Sequence, residues 1–260
     1  MNESRSHEVG TYQWVSSGGH LSAGDRLRLF RGLAGTARDS LRDIWKLWAS
    51  STPQSVAQID SAMFNPPDSR LARKAEEAWQ EQRSPTIRGH ALRSWMYGQA
   101  LAAIDGSDVD REAFYCAALL HDYGLDRGPI PGVDFTLIGA DRARRVLARA
   151  ELPDDIVVGR QGAVADAICL HATAGISVAP ETALAYYVMV GSMADAAALR
   201  RWHVGVQAIK EIHSRAPTGG GFKSCLNRRI WHEAFAVPAG RFAMYAFLGM
   251  TLLIRLAPSP

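Results

Sequence analysis

The chain has 260 residues, 47% of them hydrophobic, which is ample for a sizeable core and excludes disorder throughout. Its 29 basic and 26 acidic residues leave a formal charge of +3, so attraction to nucleic acid or anionic lipid requires a local patch. Cys116, Cys169 and Cys225 are far apart and lack a Cys-x-x-Cys spacing, which argues against a disulfide framework or a thiolate zinc site and fits a reducing cytoplasm.

Residues 1–10 are polar and of mixed charge, without the basic start and apolar stretch of a secretory signal, so a cytoplasmic location is expected. Residues 1–65 form an N-terminal extension. Within it, residues 36–50 carry Leu41, Ile44, Trp45 and Trp48 at helical spacing, with Arg38, Arg42 and Lys46 on the polar face. A membrane-surface or partner-binding helix is conceivable from this pattern, but packing against the main domain is expected, and no membrane partner is expected. Pro66 and Pro67 end the segment, because consecutive prolines enforce extended backbone.

Helical patterns follow at 71–83, 86–104, 111–123, 136–150, 162–172, 181–200 and 203–215, then in two further segments, and strand patterns are nearly absent. The expected fold class is all-α, with a core over 66–200 and helices over 201–260 completing the same domain. Gly124 stands where a left-handed residue would close the 111–123 helix. The apolar run at 242–254 is shorter than the ~20 residues needed to span a bilayer and reads as a buried core helix. Gly219, Gly220 and Gly221 mark a flexible loop without the Lys-Ser or Lys-Thr ending of a phosphate loop.

The chemistry concentrates where the apolar 111–123 helix ends in His121 and Asp122. A buried carboxylate beside the partial negative charge of a helix C-terminus is costly unless it is paired or bound to a cation. The other reading has His121 bonding a free carbonyl and Asp122 capping a neighbouring helix. Asp195 lies on a second apolar helix and needs either a buried arginine or a metal. His90 lies on a third. Two imidazoles and two carboxylates suit zinc, manganese or iron better than calcium.

The succession His90, then Leu119-Leu120-His121-Asp122-Tyr123-Gly124, then Asp195 resembles the H…HD…D signature of the HD-domain metal-dependent hydrolase superfamily. The resemblance covers residues 72–199. Flanking stretches, His90-x-x-Arg93, 135–145 with Gly139-Ala140, and Ala167-Ile168-x-x-His171, are similar to its cyanamide-hydratase-like branch. The resemblance implies an HD-domain helical bundle in which His90, His121, Asp122 and Asp195 hold one divalent ion. Only His171 lies between the His-Asp pair and the last aspartate, so a dinuclear centre is not expected. His171 resembles a pocket residue, as proton carrier or substrate donor, with a satisfied core histidine as its other reading. Asp122 would orient the attacking water. Arg93, three residues after His90, would hold a substrate group, unless it pairs with Asp195 or faces solvent.

The first functional expectation is therefore a phosphohydrolase of a small phosphomonoester or nucleotide-like molecule. The alternative is a hydratase or hydrolase of a small nitrogenous molecule, with Trp95, Met96 and Tyr97 helping to enclose the pocket. A third is a non-catalytic, metal-containing binding module. A small-molecule partner is expected, nucleic acid is not, and a homo-oligomer is compatible with the sequence.

Overall fold

Helical hydrophobic spacing becomes helix almost everywhere in the structure, a computed structural model that describes residues 8–49, 59–150 and 153–259, with residues 154–158 described in backbone only. The expectations for residues 1–7 and for the end of the 36–50 helix lie outside the described residues. Among the described residues two α-helices, α1 (Tyr12–Ser16) and α2 (Ala23–Trp48), and a 3-10 turn (Ser61–Phe64) precede Pro66. The middle of the chain forms α3 (Arg70–Gln80), α4 (Pro85–Ile104), α5 (Arg111–Leu120), α6 (Tyr123–Arg127), α7 (Phe135–Ala148), α8 (Asp154–Leu170) and α9 (Ala183–Ala197). The remainder forms α10 (Arg201–Val204), α11 (Val206–Arg215), α12 (Phe222–Ala236), α13 (Arg241–Phe247) and α14 (Met250–Leu256). Among the described residues there is no strand, only an isolated bridge between Ile130 and Val133, and no helix is long and apolar enough to cross a membrane.

Three expectations change. The 111–123 helix breaks at His121 and Asp122 into α5 and α6, and Gly124 lies inside α6 without a left-handed backbone. Its glycine has another cause: a Cβ there would stand 2.0 Å from the Phe135 carbonyl oxygen, so α6 can meet the start of α7 only without a side chain. The 242–254 run forms two helices, because Gly249 turns the chain at φ +100° between α13 and α14. In α2, which starts earlier than expected at a Ser22–Asp25 capping box, Ile44 is buried but Leu41, Trp45 and Trp48 face outward. The core is instead served by Leu29, Leu33 and Ile44.

Two cores result. The larger gathers α3, α4, α5, α7, α8 and α9 around Trp95, Tyr97, Phe114, Leu119, Leu120 and Tyr187. The smaller joins α2 to α12, α13 and α14 through Leu29, Leu33, Leu226, Ile230 and Ile254, and meets the end of α9 at Ala196 and Ala197. Trp95, Met96 and Tyr97 belong to the larger core and do not line the cavity that contains His90.

The α4–α9 crossing positions the polar residues between these cores. Gly191 on α9 rides against α4 so closely that a Cβ would fall 2.1 Å from the Ser94 carbonyl oxygen and 2.8 Å from the Gly98 nitrogen. One turn away along the same interface, His90 and Arg93 of α4 reach Asp195 of α9. Gly191→Ala forces the helices apart, and a loss of about 1–3 kcal/mol is expected from overpacking. A urea titration followed by circular dichroism checks it through a lower midpoint in the variant.

Candidate metal centre

α4 is held at its start by Ser84, whose side chain accepts from the Ile87 N–H, by Pro85 in the first helical turn, and by Asp126, which accepts from the Arg83 and Ser84 amides at 2.5 and 3.0 Å. That anchoring aims His90 inward, 1% exposed. Its Nδ1 lies 2.7 Å from Asp195 Oδ2. The same carboxylate receives Arg93 Nε at 2.6 Å and Nη2 at 2.9 Å, a two-point guanidinium pairing. Burial opposes ionisation of Asp195, yet the Arg93 charge and the His90 hydrogen bond outweigh it and hold the carboxyl well below its ordinary 3.8.

His121 closes α5, and its Nδ1 is 2.7 Å from the Ala118 carbonyl oxygen. His171 closes α8 in the same way, with Nδ1 at 2.5 Å from the Ile168 carbonyl oxygen. Carbonyl and carboxylate oxygens can only accept, so in all three histidines Nδ1 carries the proton and Nε2, in a neutral ring, carries a lone pair. Burial lowers the pKa of His121, and burial with His121 beside it pushes His171 down to about 3, so both rings are neutral near pH 7.

The three Nε2 atoms surround one carboxylate. His121 Nε2 and His90 Nε2 lie 3.5 and 3.6 Å from Asp122 Oδ2, and His171 Nε2 lies 3.8 Å from Asp122 Oδ1. Asp122 makes no side-chain bond to the start of α6, so it does not serve as a helix cap. Ser192 Oγ stands 3.2 Å from His90 Nε2 and can donate to it, but His121 Nε2 is buried with no hydrogen-bond partner. Lone pairs aimed at a carboxylate from several sides repel it, and a buried unsatisfied acceptor costs about 1–3 kcal/mol. A divalent cation reverses the sign of each of these interactions. The donor atoms of His90, His121 and Asp122 lie within 4.8 Å of one another, and a neutral-imidazole and carboxylate set fits a transition-metal ion.

The resemblance implies Asp195 as a fourth ligand; in this structure its carboxylate accepts from Arg93 and His90. Its bond to Nδ1 orients the His90 ring and turns Nε2 toward Asp122. Arg93 turns its remaining donor, Nη1, to the Ala216 and Pro217 carbonyls at 3.3 and 3.4 Å, and its donors are therefore spent within the protein.

Sequence reasoning did not single out two aromatic walls. Phe222, at the start of α12, packs on the His90 ring at 5.5 Å and on the Arg93 guanidinium at 5.0 Å. Phe135 meets His171 edge-on at 6.0 Å. Neither carries a local signal, since each acquires its role only when α7 and α12 are packed.

His90, Asp122 and His171 open into a cavity of about 80 Å³, room for a few non-hydrogen atoms, since about 10–15 Å³ by this measure holds one water. Its other walls are mainly apolar: Met189 and Met193 of α9, Leu226 and Ile230 of α12, Phe242 of α13 and Ile254 of α14. Leu33 and Thr36 of α2 also line it, whereas among the described residues no lysine or arginine does.

Buried histidines around a carboxylate beside an apolar cavity in a helical protein fit a metal-dependent enzyme. Residues 87–195 match the sequence model of the HD domain, and the chain carries an HD domain over that segment. HD domains bind divalent metals and are generally hydrolases. No curated protein matches the chain.

Asp122→Ala removes the central carboxylate, and bound metal is expected to fall below about a tenth of the wild-type content. With zinc at about 1,000 times its Kd the wild type gains about 4 kcal/mol of stability, and the variant gains none. Elemental analysis and denaturation with and without zinc check both statements.

Glu233 of α12 supports the Phe135 wall by accepting its amide at 3.0 Å. Burial, only partly offset by that bond, raises its pKa from 4.5 to about 7. A raised carboxyl pKa means that stability is fully present below about 4.5 and is lost as the pH rises through about 7. Glu233→Gln keeps the acceptor and removes the charge. Its stability is expected to stay flat over that window, while the wild type loses up to about 3 kcal/mol at about 1.36 kcal/mol per unit. Urea midpoints measured across the window check it.

Proposed function

We propose that this protein is a metal-dependent enzyme that adds water to a small, uncharged, nitrogen-containing molecule. The observation that carries the reading is the cavity beside His90, Asp122 and His171, about 80 Å³ in volume and, among the described residues, lined by no lysine or arginine. A phosphomonoester brings a dianion that accepts hydrogen bonds and needs cationic donors. Here Arg93 is committed to Asp195, and His171 offers a neutral Nε2 lone pair. A substrate with N–H donors and an apolar remainder suits these walls. The flanking resemblance to the cyanamide-hydratase-like branch agrees. The phosphohydrolase that the sequence puts first therefore ranks second on the chemistry of the lining.

A divalent ion bound by His90, His121 and Asp122 would supply Lewis acidity and a water of lowered pKa, from about 16 toward about 7. The chain's residues would do the rest. Asp122 accepts a hydrogen bond from the attacking water through an oxygen left free, and His171 Nε2 accepts an N–H of the substrate or relays a proton. Asp195 and Arg93 are positioning residues that fix the His90 ring. The apolar residues keep bulk water out, so that polar contacts inside the cavity are strong. For a nitrile-type substrate the water oxygen bonds to carbon as the C≡N π bonds are lost, and both water protons end on the nitrogen, the second after tautomerisation, so that cyanamide would give urea with no redox change.

Protein reconstituted with zinc, manganese or iron is expected to hydrate cyanamide or small nitriles and to release no phosphate from p-nitrophenyl phosphate or nucleoside monophosphates. Asp122→Ala should lower that activity by more than about a hundredfold. His171→Gln should lower it by about tenfold or more while retaining metal. Phosphate release without hydration would overturn the reading in favour of the phosphohydrolase. Full metal content with no turnover on either panel would favour a binding module.

A further inference from the structure

We propose that α2 binds anionic lipid surfaces, lying along them with its outer apolar stripe in the interface. At 100° per residue, Leu27, Phe30, Ala34, Leu41, Trp45 and Trp48 share an arc of about 60°. That stripe runs the length of a 26-residue helix. The adjoining face, with Leu29, Leu33 and Ile44, is already buried against α13 and α14 and the end of α9. Trp45 and Trp48 are 70% and 66% exposed, far more than single apolar surface residues explain when they stand in a row. The patch continues onto α14, where Trp48 Nε1 donates to the Leu256 carbonyl at 3.2 Å and Leu252 and Leu256 are themselves exposed.

Charge identifies the occupant. α2 carries six basic and three acidic residues, an excess equal to the net charge of the whole chain. One of the three acids, Asp43, is buried and accepts from the Arg200 amide. Exposed Arg31, Arg38 and Arg42 follow one edge of the stripe. An apolar stripe with two indoles and a basic border is the composition of helices that lie in the plane of an anionic bilayer surface. A second copy of the chain fits less well. Two-fold docking through this face sets the arginine row either against its own copy or against Leu252 and Leu256, and in neither arrangement against acids.

Co-sedimentation of the full chain with vesicles tests the proposal. Binding to phosphatidylcholine–phosphatidylserine vesicles at low salt is expected, at least about tenfold stronger than to phosphatidylcholine alone and falling as salt is added. Trp45→Glu with Trp48→Glu should weaken it by more than about tenfold, and Arg31→Gln with Arg38→Gln and Arg42→Gln by about a hundredfold, with unchanged circular dichroism because all five side chains face solvent. No binding to the mixed vesicles, or binding insensitive to the tryptophan changes, overturns the proposal. So does a dimer, seen by light scattering, that the tryptophan changes convert to monomer, since the stripe is then covered by a second copy.

Discussion

The Asp195 carboxylate has no access to water and spends both oxygens inside the protein, one on Arg93 and the other on Arg93 and His90 together. Removing one member of such a group leaves an uncompensated buried charge, so the three residues stand or fall as a unit. That unit fixes the His90 ring on its axis and determines which nitrogen faces Asp122. It also ties α4 to α9 and, through the carbonyls of residues 216 and 217, to the chain leading into α12. The closeness of α4 and α9 at Gly191 makes the reach of Arg93 to Asp195 possible, and the ion pair in turn requires that closeness.

The donors come from one segment of the chain, whereas the cavity walls come from several. His90, His121, Asp122 and His171 all fall within the segment matched to the HD domain, residues 87–195. The walls supplied by Leu33, Thr36, Leu226, Ile230, Phe242 and Ile254 do not. The matched segment supplies the donors and part of the lining, Met189 and Met193 among it, while residues before and after it supply the rest of the apolar wall. Helix α2 and helices α12, α13 and α14 meet in the smaller core and supply walls of the cavity.

What was legible in the sequence follows the range of the physics involved. Helix identity is a local property, and the spacing of apolar residues identifies α4, α5, α7 and α9 to within a few residues. The donors His90, His121 and Asp122 were legible because polar groups in apolar helices are conspicuous. Helix breaks were not: the turn at His121 and Asp122 and the one at Gly249 depend on where the next helix packs. Gly124 illustrates the difference, because local sequence suggests a left-handed cap, while its cause is the Phe135 carbonyl, brought there by α7. Arg93 shows the same limit. Three residues from His90 it must share a face with it, but only the position of α9 determines that its charge goes to Asp195.

Outward-facing tryptophans on α2 belong to this argument as well. Periodicity alone identifies an apolar face and cannot say whether there is one or two. In α2 the two apolar faces adjoin, one at Leu29, Leu33 and Ile44 and the other at Leu41, Trp45 and Trp48, and a sequence reading merges them into a single core-facing stripe. Folding separates them, because α14 has room for the first and ends beside the second at Leu256. The inner face of α2 lines the cavity through Leu33 and Thr36, so any contact that orders the outer face bears on the same helix that closes the candidate centre.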